Sequence, residues 1–226
     1  MVSNLRIANP DDAAAILTVK QVVWPESADD VKNIAQVISE PGHVTLVAEV
    51  GERVAGFADG FLTLSPQGRR RWEVDLLAVH PDYRQQGLAR QMVTASTQAG
   101  LALGAETARG LIHVENVASQ QTFARCGYVI DETVCSLFVA SDGLTQTRTG
   151  LSATSFLIPV STFNYRGLWL EGTLDYDAFT CASAIRSQYK LDMAGAVIPA
   201  SQEKAITAAQ QAGYVFVGDY HWWRLI

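Results

Sequence analysis

Two acidic residues, Glu73 and Asp75, interrupt an otherwise apolar, β-prone run, Glu-Val-Asp-Leu-Leu-Ala-Val, that ends at Val79. Alternation along a strand puts Glu73, Asp75, Leu77 and Val79 on one face. So apolar a run reads as a strand buried near the middle of a sheet, where a carboxylate must either face a cleft or hold a partner. A carboxylate in a cleft can move protons. A second chemical feature follows directly, Arg84-Gln85-Gln86-Gly87-Leu88-Ala89-Arg90. Its glycine lets the backbone turn or approach a ligand closely, and the amides that open the next helix lack partners. Such an end takes phosphate through N–H groups and the positive end of the helix dipole. Arg84 and Arg90 add charged donors. The Lys-Ser/Thr of a P-loop and the three spaced glycines of a dinucleotide fingerprint are both missing.

These residues need a strand, a turn and a helix in that order. Pro81 and Asp82 supply the turn. Leu88, Met92, Ala95 and Ala99 follow at helical spacing with one apolar stripe. The run Leu77-Ala-Val-His-Pro-x-Tyr-Arg84, continued by Gln85, Gln86, Gly87, Leu88 and Ala89, closely resembles the acetyl-CoA signature Arg/Gln-x-x-Gly-x-Gly/Ala of the GCN5-related N-acetyltransferase (GNAT) superfamily.

The resemblance implies acetyl-CoA as cosubstrate. Main-chain groups of Leu77, Ala78 and Val79 would pair with the pantetheine arm, and Arg84 to Ala89 would wrap the pyrophosphate, with Arg84 or Arg90 adding charge. It implies an N-acetyltransferase in which a primary amine attacks the thioester directly in a ternary complex. An ammonium near pKa 10.4 must first lose a proton, and alignment puts Asp75 where family members carry a base, with Glu73 the second candidate. The family's Asn-x6-Tyr-x3-Gly-Phe survives as Asn116, Phe123, Gly127 and Tyr128. Phe123 can pack on pantetheine but donates no proton. Asn116 either orders the cofactor or caps its helix. The other reading is a non-catalytic acetyl-CoA sensor or partner-binding module.

Along the chain, short strand Leu5–Ala8 precedes a helix capped by Asp11 or Asp12 and broken at Trp24-Pro25. Ala28 to Ser39 is a second helix, and Val44–Val50 and Val54–Leu64 form a hairpin at Gly51-Glu52. Beyond the central helix come strand Gly110–Glu115, a helix opened by Asn116 that runs to Cys126 and is ended by Gly127, and a closing pair of strands, Tyr128–Ile130 and Val134–Val139. The order is that of the GNAT fold, an α/β (α+β) mixed central sheet flanked by helices, over residues 1–140.

Residues 141–152 are rich in Ser, Thr and Gly and read as a linker. Strands Thr154–Val160 and Gly167–Glu171, helix Ala178–Tyr189, strand Ala196–Pro199 and a helix from Ser201 follow. Gly213-Tyr-Val215 then repeats Gly127-Tyr-Val129. Residues 153–226 are thus expected to be a degenerate half-repeat of the same fold, packed on the first part. No second acetyl-CoA loop lies between Glu171 and Ala178. Trp169, Trp222 and Trp223 are expected in packing roles.

Composition narrows the rest. With 226 residues, 48% apolar and 18% charged, the chain reads as an ordinary globular protein. A net charge of -6 opposes a nucleic-acid surface and favours a cationic partner, whether a small molecule or a peptide amine. Cys126, Cys135 and Cys181 are too scattered for disulfides or a metal site. No apolar run has membrane-spanning length and the N-terminus has no h-region, so the cytoplasm is expected. Monomer and homodimer both fit. His113 is a minor candidate for a substrate contact, and His80 is expected at the surface.

Overall fold

The computed structural model describes residues 3–26, 30–141 and 151–225. It opens with β1 (Ser3–Ile7), α1 (Ala13–Val23) and α2 (Val31–Ile38). Asp12 takes the N-cap position of α1 but makes no cap bond to it; its oxygens accept from Arg6 at 2.7 Å and from the Asn9 amide at 2.8 Å, one half of a capping box with Asn9. The expected start of α2 at Ala28 lies outside the described residues. Asp30 caps that helix through the Lys32 amide. The hairpin forms from β2 (His43–Val50) and β3 (Arg53–Leu64), with Gly51 at a φ of 64°. β4 (Arg70–Val79) runs antiparallel to β3, and α3 (Leu88–Ala102) carries the chain back to β5 (Thr107–His113), parallel to β4. α4 (Val117–Arg125) and the short strands β6 (Val129–Ile130) and β7 (Cys135–Ala140) complete the N-terminal part.

Residues 142–150 of the expected linker lie outside the described residues. The C-terminal part contains β8 (Ser155–Ser161), β9 (Arg166–Gly172), α5 (Tyr176–Gln188), β10 (Met193–Pro199), α6 (Glu203–Gln211) and β11 (Val215–Leu225). All strands join one mixed sheet in the order β1-β2-β3-β4-β5-β11-β7-β10-β9-β8, with β6 attached to β11.

The expected pairing of Tyr128–Ile130 with Val134–Val139 does not form. β11 comes between: it pairs with β5 over Tyr220–Leu225, with β6 at Trp223 and Arg224, and with β7 over Val215–Tyr220. β7 in turn pairs with β10. The last strand of each part therefore lies against the other part. Alternation fixes which face a strand buries, but not which of several compatible edges it joins.

The C-terminal elements follow the N-terminal ones closely. The bounds of β5 and α4 become those of β10 and α6 on a shift of 86 residues. Tyr128 bonds Thr97 of α3 at 2.6 Å, and Tyr214, 86 residues on, bonds Ser183 of α5 at 3.3 Å.

Helices cover both faces of the sheet. Ile16, Val19, Ile34 and Val37 of α1 and α2 bury Val47, Phe57 and Ala78. On the opposite face, Val93 and Phe123 pack with Trp72 and Val74. Trp72 is fully buried between Gly60 of β3 and Gly100 of α3, where a methyl at either glycine would collide with the indole. This close approach accounts for a glycine within α3, which costs about 1 kcal/mol of helix propensity. The Trp72 indole N–H donates to Ser96. In the C-terminal part, Phe179 and Ala182 of α5 and Ala209 of α6 cover Phe138, Leu168 and Ile198. No helix among the described residues is long and apolar enough to cross a membrane.

Candidate active site

β4 and β5 pair only near their beginnings, at Arg71↔Thr107, Trp72↔Ala108 and Glu73↔Arg109, although β4 continues to Val79 and β5 to His113. Past Glu73 the strands part. A cavity of about 370 Å³ lies in the gap, walled by Val74 to Leu77, by Leu111 to His113, and by Asn116 and Phe123. A second cavity of about 690 Å³ meets it at Val74, Asp75, Leu76, Leu111, Asn164 and Tyr220, and extends between the two parts of the chain.

The β3–β4 register steps from Asp59↔Leu76 to Gly60↔Val74, which leaves Asp75 as the extra residue of a β-bulge. A bulge re-aims a side chain and bends its strand. It also resets the alternation. Trp72 and Val74 face α3 before the bulge, and Leu77 and Val79 face it afterwards. The expected single face holding Glu73, Asp75, Leu77 and Val79 is therefore corrected: the last two lie on the opposite side of the sheet.

The two carboxylates have different surroundings. Asp75 opens into the cavity and has no hydrogen bond or ion pair among the described residues. Although accessible there, it is enclosed by protein instead of bulk water. Desolvation pushes its pKa up to about 7, with Asp59 raising it further, His43 opposing, and Glu73 and Lys20 contributing smaller effects. Glu73 is buried and held. It accepts from Arg109 Nε at 2.8 and 3.0 Å and from Thr63 Oγ1 at 2.5 Å. Arg109 also donates to Glu171 of β9 at 2.8 Å, and Arg71 donates to Glu171 at 2.9 and 3.1 Å. Burial alone would raise the Glu171 pKa, but Arg71 and Arg109 outweigh it and hold it below the usual carboxylate range.

The loop sequence takes the form a phosphate site needs. Arg84 to Gly87 are exposed, Gln85 and Gly87 adopt φ of 62° and 78°, and buried Leu88 anchors the start of α3. Gly87 occupies the N-cap and has no side chain to satisfy the amides that follow. Arg84 donates to the Val79 carbonyl at 3.3 Å, Ala89 is half-buried and Arg90 exposed.

The smaller cavity collects the remaining candidates. Asn116 caps α4 through the Ser119 amide at 3.1 Å. Phe123 is buried over Gly110, edge-on to Tyr128 at 4.8 Å. His113 lines the same space, edge-on to Tyr220 at 5.2 Å. His80 is half-buried and accepts from the Asp82 amide.

Several site residues were not anticipated. Tyr220 borders both cavities, its hydroxyl has no hydrogen bond among the described residues, and burial raises its pKa so that it keeps its proton. Tyr165 accepts from Trp169 at 2.9 Å, and Trp169 and Trp222 line the larger cavity where packing roles were expected; Trp223 is in the core. Lys20 is buried and donates to Asn164 at 2.6 Å, while Asp59 accepts from Thr45 at 2.6 Å, with His43 3.7 Å from its other oxygen. Lys20 within an apolar helix stripe and Asp59 within an apolar strand were visible signals. Tyr165 and Tyr220 gave none, because the topology alone brings them to β4.

The sequence model of the Acetyltransferase (GNAT) family matches residues 11–128. The chain belongs to this family of acetyltransferases, whose cosubstrate is acetyl-CoA. No curated protein matches it. Among solved structures, a Pyrococcus horikoshii protein assigned as an acetyltransferase is 13% identical, with a TM-score of 0.62 over 99% of this chain and 89% of its own. The GCN5-related glucosamine N-acetyltransferase region of a fungal multi-domain β-N-acetylglucosaminidase is 10% identical, with a TM-score of 0.67; 99% of this chain corresponds to 38% of that one. The Salmonella typhimurium yncA protein, solved with acetyl-CoA, is 19% identical, with a TM-score of 0.50 over 60% of this chain and 84% of its own. At these identities the likeness establishes the fold.

Proposed function

We propose that this protein transfers the acetyl group of acetyl-CoA to a primary amine by direct attack within a ternary complex. The observation that carries this reading is the parting of β4 from β5 with the unpartnered Asp75 bulged into the gap. The β5-facing edge of residues 74–79, which includes Leu77, Ala78 and Val79, suits pantetheine as an added strand. The outward amides of the loop from Arg84 to Ala89 suit the pyrophosphate, with Arg84 and Arg90 adding charge. Asn116 and Phe123 wall the thioester end. Asp75, with a pKa near 7, accepts the proton as the amine nitrogen bonds to the thioester carbonyl carbon. The carbon–sulfur bond breaks, and the CoA thiolate takes a proton from Tyr220 or solvent. Glu73 holds the strands together and takes no part in proton transfer.

Residues 153–226 are, in the same reading, a degenerate copy of the fold that closes over the first part, residues 1–140. The common shift of 86 residues and the reciprocal placement of β7 and β11 support this.

Asp75→Asn should lower kcat/KM by about 10²–10⁴ while acetyl-CoA still raises Tm. Tyr220→Phe should lower kcat by about 10² with little change in KM. Phe123, which lacks the family's hydroxyl, favours the alternative of a binding module that has lost catalysis. Stabilisation by acetyl-CoA with no CoA release on any amine would establish that alternative.

A further inference from the structure

We propose that the acceptor is a primary monoamine carried on a compact apolar or aromatic body. This deepens the transferase reading and rests on it. The 690 Å³ cavity has the size of a small-molecule site. Four charged residues line it: Glu73, Asp75, Arg109 and Glu171. Three of them are closed on one another through ion pairs of 2.8 Å, with Arg71 completing the set. Asp75 alone faces the space with no partner among the described residues. The wall therefore offers one uncompensated negative charge, placed beside the smaller cavity where the thioester end would lie.

The rest of the wall, Asn164, Tyr165, Gln202 and Tyr220 apart, is apolar and comes mainly from the C-terminal part. Leu137, Val139, Leu170 and Met193 supply side chains, and Trp169 and Trp222 supply rings. The Trp222 ring has Arg109 over one face at 4.0 Å, which fixes its plane. Two of the polar lining groups are already engaged, Asn164 by Lys20 and Tyr165 by Trp169. An ammonium beside Asp75 is charge-compensated, and an apolar body fills the remaining space. A second ammonium would find no other unpaired carboxylate among the described residues, and polar groups out of reach of Gln202 and Tyr220 would lose water without gaining a partner, at about 5- to 150-fold in affinity each. Polyamines, aminoglycosides and lysine side chains within peptides are disfavoured on that ground.

A bulge shapes this side of the cavity as well. Val217 is the extra residue where the β11–β7 register shifts between Phe216 and Gly218; it is exposed and borders the same cavity. A carboxylate there adds a second charge to the wall at a position the core does not depend on.

The test uses the full chain with acetyl-CoA and follows CoA thiol release. 2-Phenylethylamine and tryptamine should exceed spermidine, kanamycin and a lysine-containing peptide in kcat/KM by at least 100-fold. Val217→Asp should lower the value for 2-phenylethylamine about tenfold, narrow its lead over spermidine, and leave the acetyl-CoA-induced rise in Tm unchanged. Best turnover with a polycation or the peptide, or an unchanged ranking in Val217→Asp, overturns the proposal. Acetyl-CoA stabilisation without turnover of the apolar amines overturns it too, while cosubstrate binding stands. Absence of any acetyl-CoA effect at millimolar concentration removes the transferase reading itself.

Discussion

The chain contains two strand–loop–helix units, β4–α3 and β9–α5, that share a plan and differ at the loop. Each strand pairs in parallel with the next one over three residue pairs and then leaves it. Each helix offers a hydroxyl, Thr97 or Ser183, to a buried tyrosine. The first loop runs from His80 to Gly87 and ends in an uncapped, left-handed glycine. The second is only Thr173-Leu174-Asp175; Asp175 caps α5 through the Ala178 amide at 2.8 Å, and Asp177 lies in the first turn. Carboxylates there satisfy the amides and repel phosphate, so the same helix end that invites an anion in one unit refuses it in the other. The plan is common to both units, but only the first loop leaves its helix amides uncapped. The second gap is still used: Leu170, Glu171 and Gly195 face the larger cavity, so the unit without a phosphate loop becomes the wall opposite Asp75.

The sharpest way to break this relation is to cut the charged network that joins the units. Arg109 bridges Glu73 and Glu171, whereas Gly195 occupies the position 86 residues on and carries no charge. Arg109→Leu leaves buried Glu73 with only the longer 3.5 Å approach of Arg71 and should cost about 3–5 kcal/mol in urea unfolding. A loss below about 1 kcal/mol would mean that the units are held by apolar packing instead.

A smaller effect separates the loops. Gly87→Val forces a β-branched residue to a φ of 78° and should abolish the stabilisation by acetyl-CoA, about 2.7 kcal/mol at a hundred times Kd. The mirror change, Asp175→Ala, should cost about 1 kcal/mol of stability through the lost cap and leave the acetyl-CoA effect intact. If Asp175→Ala weakened acetyl-CoA binding, the two loops would be coupled and the assignment of the phosphate to the first alone would fail.

Much of this was legible in the residues. The form of the loop was, because glycine, arginine and helix spacing are local features, and Gly213-Tyr-Val215 marks a tyrosine that packs as Tyr128 does. Asp75 stood out as a carboxylate in an apolar strand, but its place in a bulge did not, since a bulge leaves no period to read. Glu73 looked equivalent to Asp75 until Arg109 and Glu171 arrived from other strands. Tyr165, Tyr220 and the wall of the larger cavity were hidden for the same reason. They come from the exchange of β7 and β11, a long-range pairing that alternation permits but does not choose.

The smallest expected effect compares the two carboxylates that face the larger cavity without being locked on each other, Asp75 and Glu171. Arginines hold the Glu171 pKa low, so its charge favours the folded state above its unfolded pKa. Asp75 is the reverse. Its folded pKa near 7 exceeds the ordinary value of about 3.9, so between those limits the folded protein keeps a proton that the unfolded chain has released. Stability from Asp75 therefore falls as pH rises through that window and is lowest above pH 7. Asn has the same shape and no charge, so Asp75→Asn should match the parent Tm near pH 4 and exceed it at pH 8 by roughly 1–3 °C, the accessibility of Asp75 to cavity solvent limiting the gain. A gain in stability together with the loss of activity is what a base retained against folding would show. A lower Tm at pH 8 would instead make Asp75 a structural partner of the bulge and remove it from proton transfer.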